Sequence, residues 1–197
     1  MKARGLEPDF PPAAQREAAA IDAPAGTGST AAGATIHDLR DLLWASIDND
    51  DSRDLDQLTV ATPAAGGTSV VRIAVADVDA LIGAHTAIDG HASLNTTSVY
   101  TAGGIFPMLP LKFSTDLTSL NADVDRLAIV VEMTVGADGE VDASDIYRAR
   151  VRNRAKLAYD SVAAWFDGKG AMPAPIAAVD GMADQLRLQD RIAQDLK

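Results

Sequence analysis

Apolar residues are spaced unevenly along this chain, and the spacing changes character near residue 36. Residues 1–36 are dominated by Ala, Gly, Pro, Ser and Thr, with one stretch from Ala13 to Ile21 suited to a short helix. A segment of this composition has little to bury and reads as a flexible arm or linker. From His37 onward the apolar runs are short or alternating, as in strands that bury one face or both. Leu43–Ile47, Leu58–Ala61 and Ser69–Ala76 fit that pattern, and Gly66-Gly67 suggests a hairpin between the last two. A longer strand is expected over Leu127–Val135, then the turn Gly136-Ala137-Asp138-Gly139 and a strand from Glu140 to about Val151. Helices are expected over Ile88–Leu94, over Leu157–Phe166 where Gly168 stops it, and over Met182–Leu196. The sum is an α+β chain, strand-rich with a few helices, in which residues 37–197 form one domain behind the arm. The last helix meets no Gly or Pro before Lys197, so the architecture is expected to continue past it.

Composition narrows the chemistry. There is no Cys and there are only three scattered His, so disulfides and Cys- or His-built metal sites are excluded and any metal must be held by oxygen. No run of about 18 apolar residues occurs and the N-terminus lacks an apolar export segment, so a cytoplasmic protein without membrane contact is expected. The formal net charge of −11 has the wrong sign for coating nucleic acid by bulk electrostatics.

The densest chemistry lies in Ile47-Asp-Asn-Asp-Asp-Ser-Arg-Asp-Leu-Asp-Gln57, where five aspartates fall within nine residues directly after an expected strand. Carboxylates this close raise one another's pKa unless water, arginine or a divalent cation neutralises them. A solvated acidic loop is one reading. An EF-hand calcium loop is another, with Asp48, Asp50 and Ser52 at the first, third and fifth positions; it lacks the glycine at position six (Arg53) and the glutamate at position twelve (Thr59). A magnesium site for phosphodiester chemistry suits the residue types better, because Mg²⁺ takes a few carboxylates, keeps waters and binds phosphate.

A second pattern is cationic. Arg148, Arg150, Arg152, Arg154 and Lys156 recur at every second residue, so an extended backbone would project all five from one face. Such a rail fits a single-stranded phosphate backbone; equally, its charges could block edge pairing or meet the protein's own acids. A helix beginning at Asn153 would shorten it to three. His85 and His91 have no triad-like partner and read as surface or N-terminal helix residues. The Gly-Gly pairs do not form a dinucleotide or Walker fingerprint.

Several segments resemble the catalytic domain of the ribonuclease II / ribonuclease R (RNB) family. Asp38-Leu-Arg-Asp-Leu, then Ile47-Asp48, then Asp54-Leu-Asp56 is similar to the family signature in which a strand delivers one aspartate and a loop supplies more. Thr97-Ser-Val-Tyr100, Pro107-Met-Leu-Pro110, Ser119-Leu120, Asn153-Arg-Ala-Lys-Leu-Ala-Tyr159 and Ile73-Ala-Val-Ala-Asp77-Val match further family segments in order. The resemblance spans about residues 38–197 and implies the first half of such a domain: a 3′-to-5′ hydrolytic exoribonuclease releasing 5′-mononucleotides from single-stranded RNA. It implies Asp48, Asp54 and Asp56 as Mg²⁺ ligands, with Asp54 and Asp56 catalytic and Asp56 the residue whose loss stops the chemistry. Gln57 stands where the family often carries another aspartate and could bind a metal only through its amide oxygen. Asn95 stands where the family commonly has arginine. Tyr100 and Tyr159 match positions where the family packs aromatic rings on RNA bases, and the cationic residues would guide the strand; either tyrosine could instead be an ordinary core residue with its hydroxyl at the rim. The remainder of the family's domain is missing from this sequence. Little activity is therefore expected from the chain alone, together with exposed apolar surface that promotes self-association or pairing with a complementing chain. A non-catalytic RNA-binding or regulatory module of the same fold is the alternative, and an acidic interaction domain without an RNA role is a third.

Overall fold

A computed structural model describes residues 2–24 and 35–196. Among the described residues there are nine strands: β1 (His37–Asp38), β2 (Ala45–Asp48), β3 (Gln57–Pro63), β4 (Ser69–Ala76), β5 (Val99–Thr101), β6 (Gly104–Phe106), β7 (Asp125–Val135), β8 (Val141–Arg152) and β9 (Ala155–Ala158). Five helices accompany them: α1 (Pro12–Ala20), α2 (Ala87–Asn95), α3 (Tyr159–Phe166), α4 (Ala174–Ala177) and α5 (Met182–Asp195). None of the described helices is long and apolar enough to cross a membrane.

Seven strands pair in the order β1-β8-β7-β4-β3-β2-β9, while β5 and β6 make a separate hairpin. The long antiparallel ladder β3-β4-β7-β8 follows from its two turns. Gly66 and Gly67 supply φ of 71° and 82° between β3 and β4, a region closed to most side chains, and Gly139 does the same at 83° between β7 and β8. At the ends, β1 runs parallel to β8 and β2 parallel to β9. Because β8 leads into β9 through only Asn153 and Arg154, the path from β1 to β2 runs beside the path from β8 to β9 and the sheet curls until its two ends approach. Trp44, Leu55, Leu58, Val60, Ala74, Val130 and Val151 fill its interior. Burial of this kind stabilises by about 25 cal/mol per Å² of apolar surface, which favours the curled sheet.

Two expected elements begin two residues later than their spacing predicts. The sequence predicts a helix from Leu157, but the chain stays extended to Ala158 because Ala155 and Leu157 are drawn into the core by the pairing with β2. The strand expected from Leu43 begins at Ala45, since Trp44 is fully buried and its indole N–H reaches back to the Leu39 carbonyl at 2.8 Å.

The described part of the arm docks on the domain. Ala14 and Ala18 of α1 pack with Ile82, Ile88, Leu109 and Phe113. Glu17 accepts hydrogen bonds from the first N–H groups of α2, Ala87 at 2.9 Å and Ile88 at 3.0 Å, where a carboxylate satisfies unpaired donors. His91, expected at the surface, is buried under Phe10 of the arm. Burial lowers its pKa below the usual histidine value, against the smaller upward pull of Glu7. Asn95 is likewise buried, and its side chain both accepts from the Glu7 N–H and donates to the Glu7 carbonyl, each at 2.9 Å. An arginine there would lack the acceptor this clasp needs. Residues 25–34 of the arm lie outside the described residues.

Candidate metal and nucleic-acid site

Asp48 is the last residue of β2, opposite Ala158 of β9. One of its carboxylate oxygens accepts from the Asn49 N–H at 2.7 Å and the Ser52 hydroxyl at 3.0 Å, which turns the chain out of the sheet. Leu55 then anchors the returning segment in the core at 2% exposure. Extended backbone alternates its side chains, so with Leu55 inward, Asp54 and Asp56 share the outer side. The Asp56 carbonyl is fixed by the Ala76 N–H at 2.9 Å, which joins the segment to the end of β4.

The β5-β6 hairpin brings Tyr100 over this segment, and its hydroxyl donates to Asp54 Oδ2 at 2.9 Å. That contact stands between two clefts. One, of about 440 Å³, is lined by Asp54, Asp56 and Tyr100 together with Thr97, Val78 and Met108. The other, of about 480 Å³, is lined by Asn49, Asp51, Arg53 and Asp54 on one side and Tyr100, Ile105 and Leu111 on the other.

Electrostatics tie the acids together. Asp56 remains open to solvent on one side, yet desolvation chiefly, and then the charges of Asp54 and Asp48, hold its carboxyl above the ordinary carboxylate range. The Tyr100 phenol is also raised, first by its hydrogen bond to Asp54, then by desolvation and the charges of the three acids. A divalent cation in this place would relieve the repulsion. Among the described residues, however, no three acids or histidines converge tightly enough to form a closed metal cage. What the cleft offers is the two carboxylates of Asp54 and Asp56, the number of protein carboxylates Mg²⁺ commonly takes when water completes its shell.

The other expected residues fall into two groups. Tyr159 starts α3 immediately after Ala158, so it stands beside the strand end that carries Asp48, and it is 51% exposed. Gln57 opens β3 opposite Val75, is exposed and lines neither of these clefts.

The cationic residues meet the protein's own acids and carbonyls, one of the two readings their spacing left open. All five residues do alternate with buried neighbours, Ala149, Val151, Ala155 and Leu157, so they share the outer face as the spacing requires. They are not a free track. Arg148 pairs with Asp77 at 2.9 Å and Asp79 at 2.6 Å, and Arg152 with Asp125 at 2.6 Å. Arg154 donates to the Arg40 carbonyl at 2.6 Å, and Lys156 to the carbonyls of Ser52 at 2.7 Å and Asp50 at 3.3 Å. Arg150 lies in the field of Asp38. In a protein with this excess of acid, nearby carboxylates and carbonyls claim the cations first. Asp77 shows why: its Oδ2 is buried without an aligned hydrogen bond, so its charge depends on Arg148.

Sequence reading singled out Ser119 and Lys156 but not their role in holding the acidic segment in place. Their partners are peptide groups, which carry no residue-type signal.

The sheet thus presents Asp48, Asp54 and Asp56 near one end, beside the exposed Tyr100 and two clefts. Residues 36–197 match the RNB domain, and the chain belongs to that family, the one that includes ribonucleases II and R. It is 33% identical over 163 residues to Exoribonuclease 2 of Klebsiella pneumoniae, covering 82% of this chain and 25% of that protein. It is 39% identical over 125 residues to Ribonuclease R of Escherichia coli, covering 64% of this chain and 15% of the relative. Its fold is similar to that of Mycoplasma genitalium RNase R, solved in complex with ribose-methylated single-stranded RNA, with a TM-score of 0.84 at 22% identity over 96% of this chain and 28% of that one. The chain thus spans about a quarter of the Klebsiella relative.

Proposed function

We propose that this chain is part of the catalytic domain of a cytoplasmic exoribonuclease that hydrolyses single-stranded RNA from its 3′ end, with Mg²⁺, and releases 5′-mononucleotides. The observation that carries the reading is the meeting of Asp54, Asp56 and Tyr100 in one cleft, with Asp48 in the same electrostatic field. Membership of the family and the exoribonuclease names of its relatives support the substrate class.

Asp54 and Asp56 would hold the cation, with Asp48 close enough to add charge or bind its waters. The cation supplies positive charge against the negative charge that develops on phosphate during attack by water. The Tyr100 hydroxyl orients Asp54, while its ring, 63% exposed, offers a face on which a base can stack. Tyr159 offers a second such face beside Asp48. Stacking is indifferent to base identity and suits an enzyme that reads any sequence. Ile105 and Leu111, more than half exposed at the second cleft, suit cover by a complementing chain or a second copy.

The test is product analysis of uniformly labelled single-stranded RNA in Mg²⁺. Slow release of mononucleotides, abolished in Asp56→Asn, is expected. Equal degradation by both proteins would overturn the proposal. The alternative, an RNA-binding module without turnover, is favoured by the absence of a closed three-acid group among the described residues and by Gln57. It predicts salt-dependent RNA binding with no product in either protein. An acidic interaction domain would show neither.

A further inference from the structure

Asp54 carries the contact with Tyr100, yet it sits in a non-repetitive segment between β2 and β3, where no sheet ladder fixes the backbone. Something else must. The Leu55 N–H donates to Ser119 Oγ at 3.0 Å, and the same hydroxyl donates to the Arg53 carbonyl at 3.0 Å. One side chain therefore engages the peptide groups on both sides of Asp54.

Ser119 is itself held. It is fully buried, its carbonyl accepts from Arg126 Nε at 3.1 Å, and the next residue, Leu120, donates its N–H to the Leu55 carbonyl at 2.8 Å. Asn121 Oδ1 lies 3.3 Å from Ser119 Oγ, but a hydroxyl has one proton and the Arg53 carbonyl is the nearer acceptor. On the far side of the loop, Lys156 grips the carbonyls of Asp50 and Ser52. The acidic segment is thus pinned through its backbone, with Asp54 and Asp56 lining the cleft.

We infer that Ser119 is a positioning residue of this site: its buried hydroxyl clamps the peptide groups flanking Asp54 and fixes where that carboxylate stands beside Asp56. Its consequence for hydrolysis rests on the proposed function; the clamp itself does not. Removing the hydroxyl leaves a buried donor and a buried acceptor unpaired at the point where the segment must be rigid.

The experiment compares wild type with Ser119→Ala by amide hydrogen exchange without metal or RNA, then by Mn²⁺ titration. Exchange at Leu55 and its neighbours is expected to quicken by about tenfold or more, while amides of β4 and β7 keep their protection. Mn²⁺ affinity is expected to fall by roughly 10- to 100-fold, with RNA affinity in the absence of metal unchanged. Unchanged exchange at Leu55, or an equal loss of protection across the whole sheet, would overturn the inference. Should Ser119→Ala not fold, Ser119→Cys fills nearly the same space with a weak hydrogen-bonding group, and the same local loss is required of it. A wild type that neither binds Mn²⁺ nor releases nucleotides would instead sink the proposed function, with the exchange result standing apart.

Discussion

The hydroxyl of Tyr100 and the carboxylate of Asp54, 46 residues apart in sequence, meet at 2.9 Å and divide the acidic end of the sheet into two clefts. The tyrosine does two separable things there. Its oxygen holds an acid, and its ring stays exposed.

Tyr100→Phe separates them. Loss of the hydroxyl frees Asp54 but keeps the ring, so RNA affinity should stay within about twofold while nucleotide release slows. Tyr100→Ala should in addition weaken RNA binding by about 1–3 kcal/mol, the worth of one stacked base. Fluorescence anisotropy with labelled RNA, run beside a product assay, checks both. If Tyr100→Phe loses as much affinity as Tyr100→Ala, the ring does not stack.

Asp56→Asn should make the protein more stable while removing its activity. A carboxyl whose folded pKa is raised opposes folding when ionised, so replacing it with a neutral amide at pH 7 removes that opposition. A rise in Tm of order 2 °C is expected. Mg²⁺ should raise the Tm of wild type and have a smaller effect on the variant. A lower Tm in Asp56→Asn would mean that the acids do not repel in the folded chain.

Arg148→Ala should cost stability rather than RNA affinity. It strands the buried carboxylate of Asp77, and breaking such a pair destabilises by about 3 kcal/mol. Urea unfolding measures the loss. A large fall in RNA affinity at unchanged stability would restore the cationic rail as a binding track.

Acid should unfold the protein through a different set of carboxylates. Asp38 is drawn down to about 2, chiefly by its hydrogen bond from Arg40. At Asp125 burial pushes upward, but the bonds from Arg152 and Arg40 outweigh it and the pKa is lowered. At Glu132 burial is likewise outweighed, by the Tyr147 hydroxyl and Arg72. A folded pKa below the unfolded one contributes stability that is present above the unfolded value and lost as pH falls through the folded one. Stability should therefore drop as pH falls from about 4 toward 2. Asp125→Asn should flatten that drop, and denaturant midpoints measured across the range test it.

Much of the fold was legible in the sequence because it follows local patterns. Ser69–Ala76 alternates and forms β4 with those ends, and the glycines at 66, 67 and 139 mark turns that need positive φ. Helix α5 announces itself by its apolar spacing. The gathering of aspartates was visible from their density alone. What lay hidden depends on distant pairs: Tyr100 with Asp54, Arg148 with Asp77 and Asp79, Glu17 with the start of α2. The spacing of the five cations correctly placed them on one face, but spacing says nothing about which acids the fold will bring to meet them. The arm reads as linker from composition, since the burial of Ala14 and Ala18 depends on a surface that only the folded domain provides.

The most direct measurement is paramagnetic broadening by Mn²⁺ in the amide spectrum of the isotopically labelled chain, before and after adding a short single-stranded RNA. Selective loss of signals from Asp48, Asp54 to Gln57 and Tyr100 is predicted, tightened by RNA and abolished in Asp56→Asn. Broadening spread evenly over surface acids such as Asp138, Asp142 and Asp184, with no preference for the cleft, would contradict a cation and RNA meeting there.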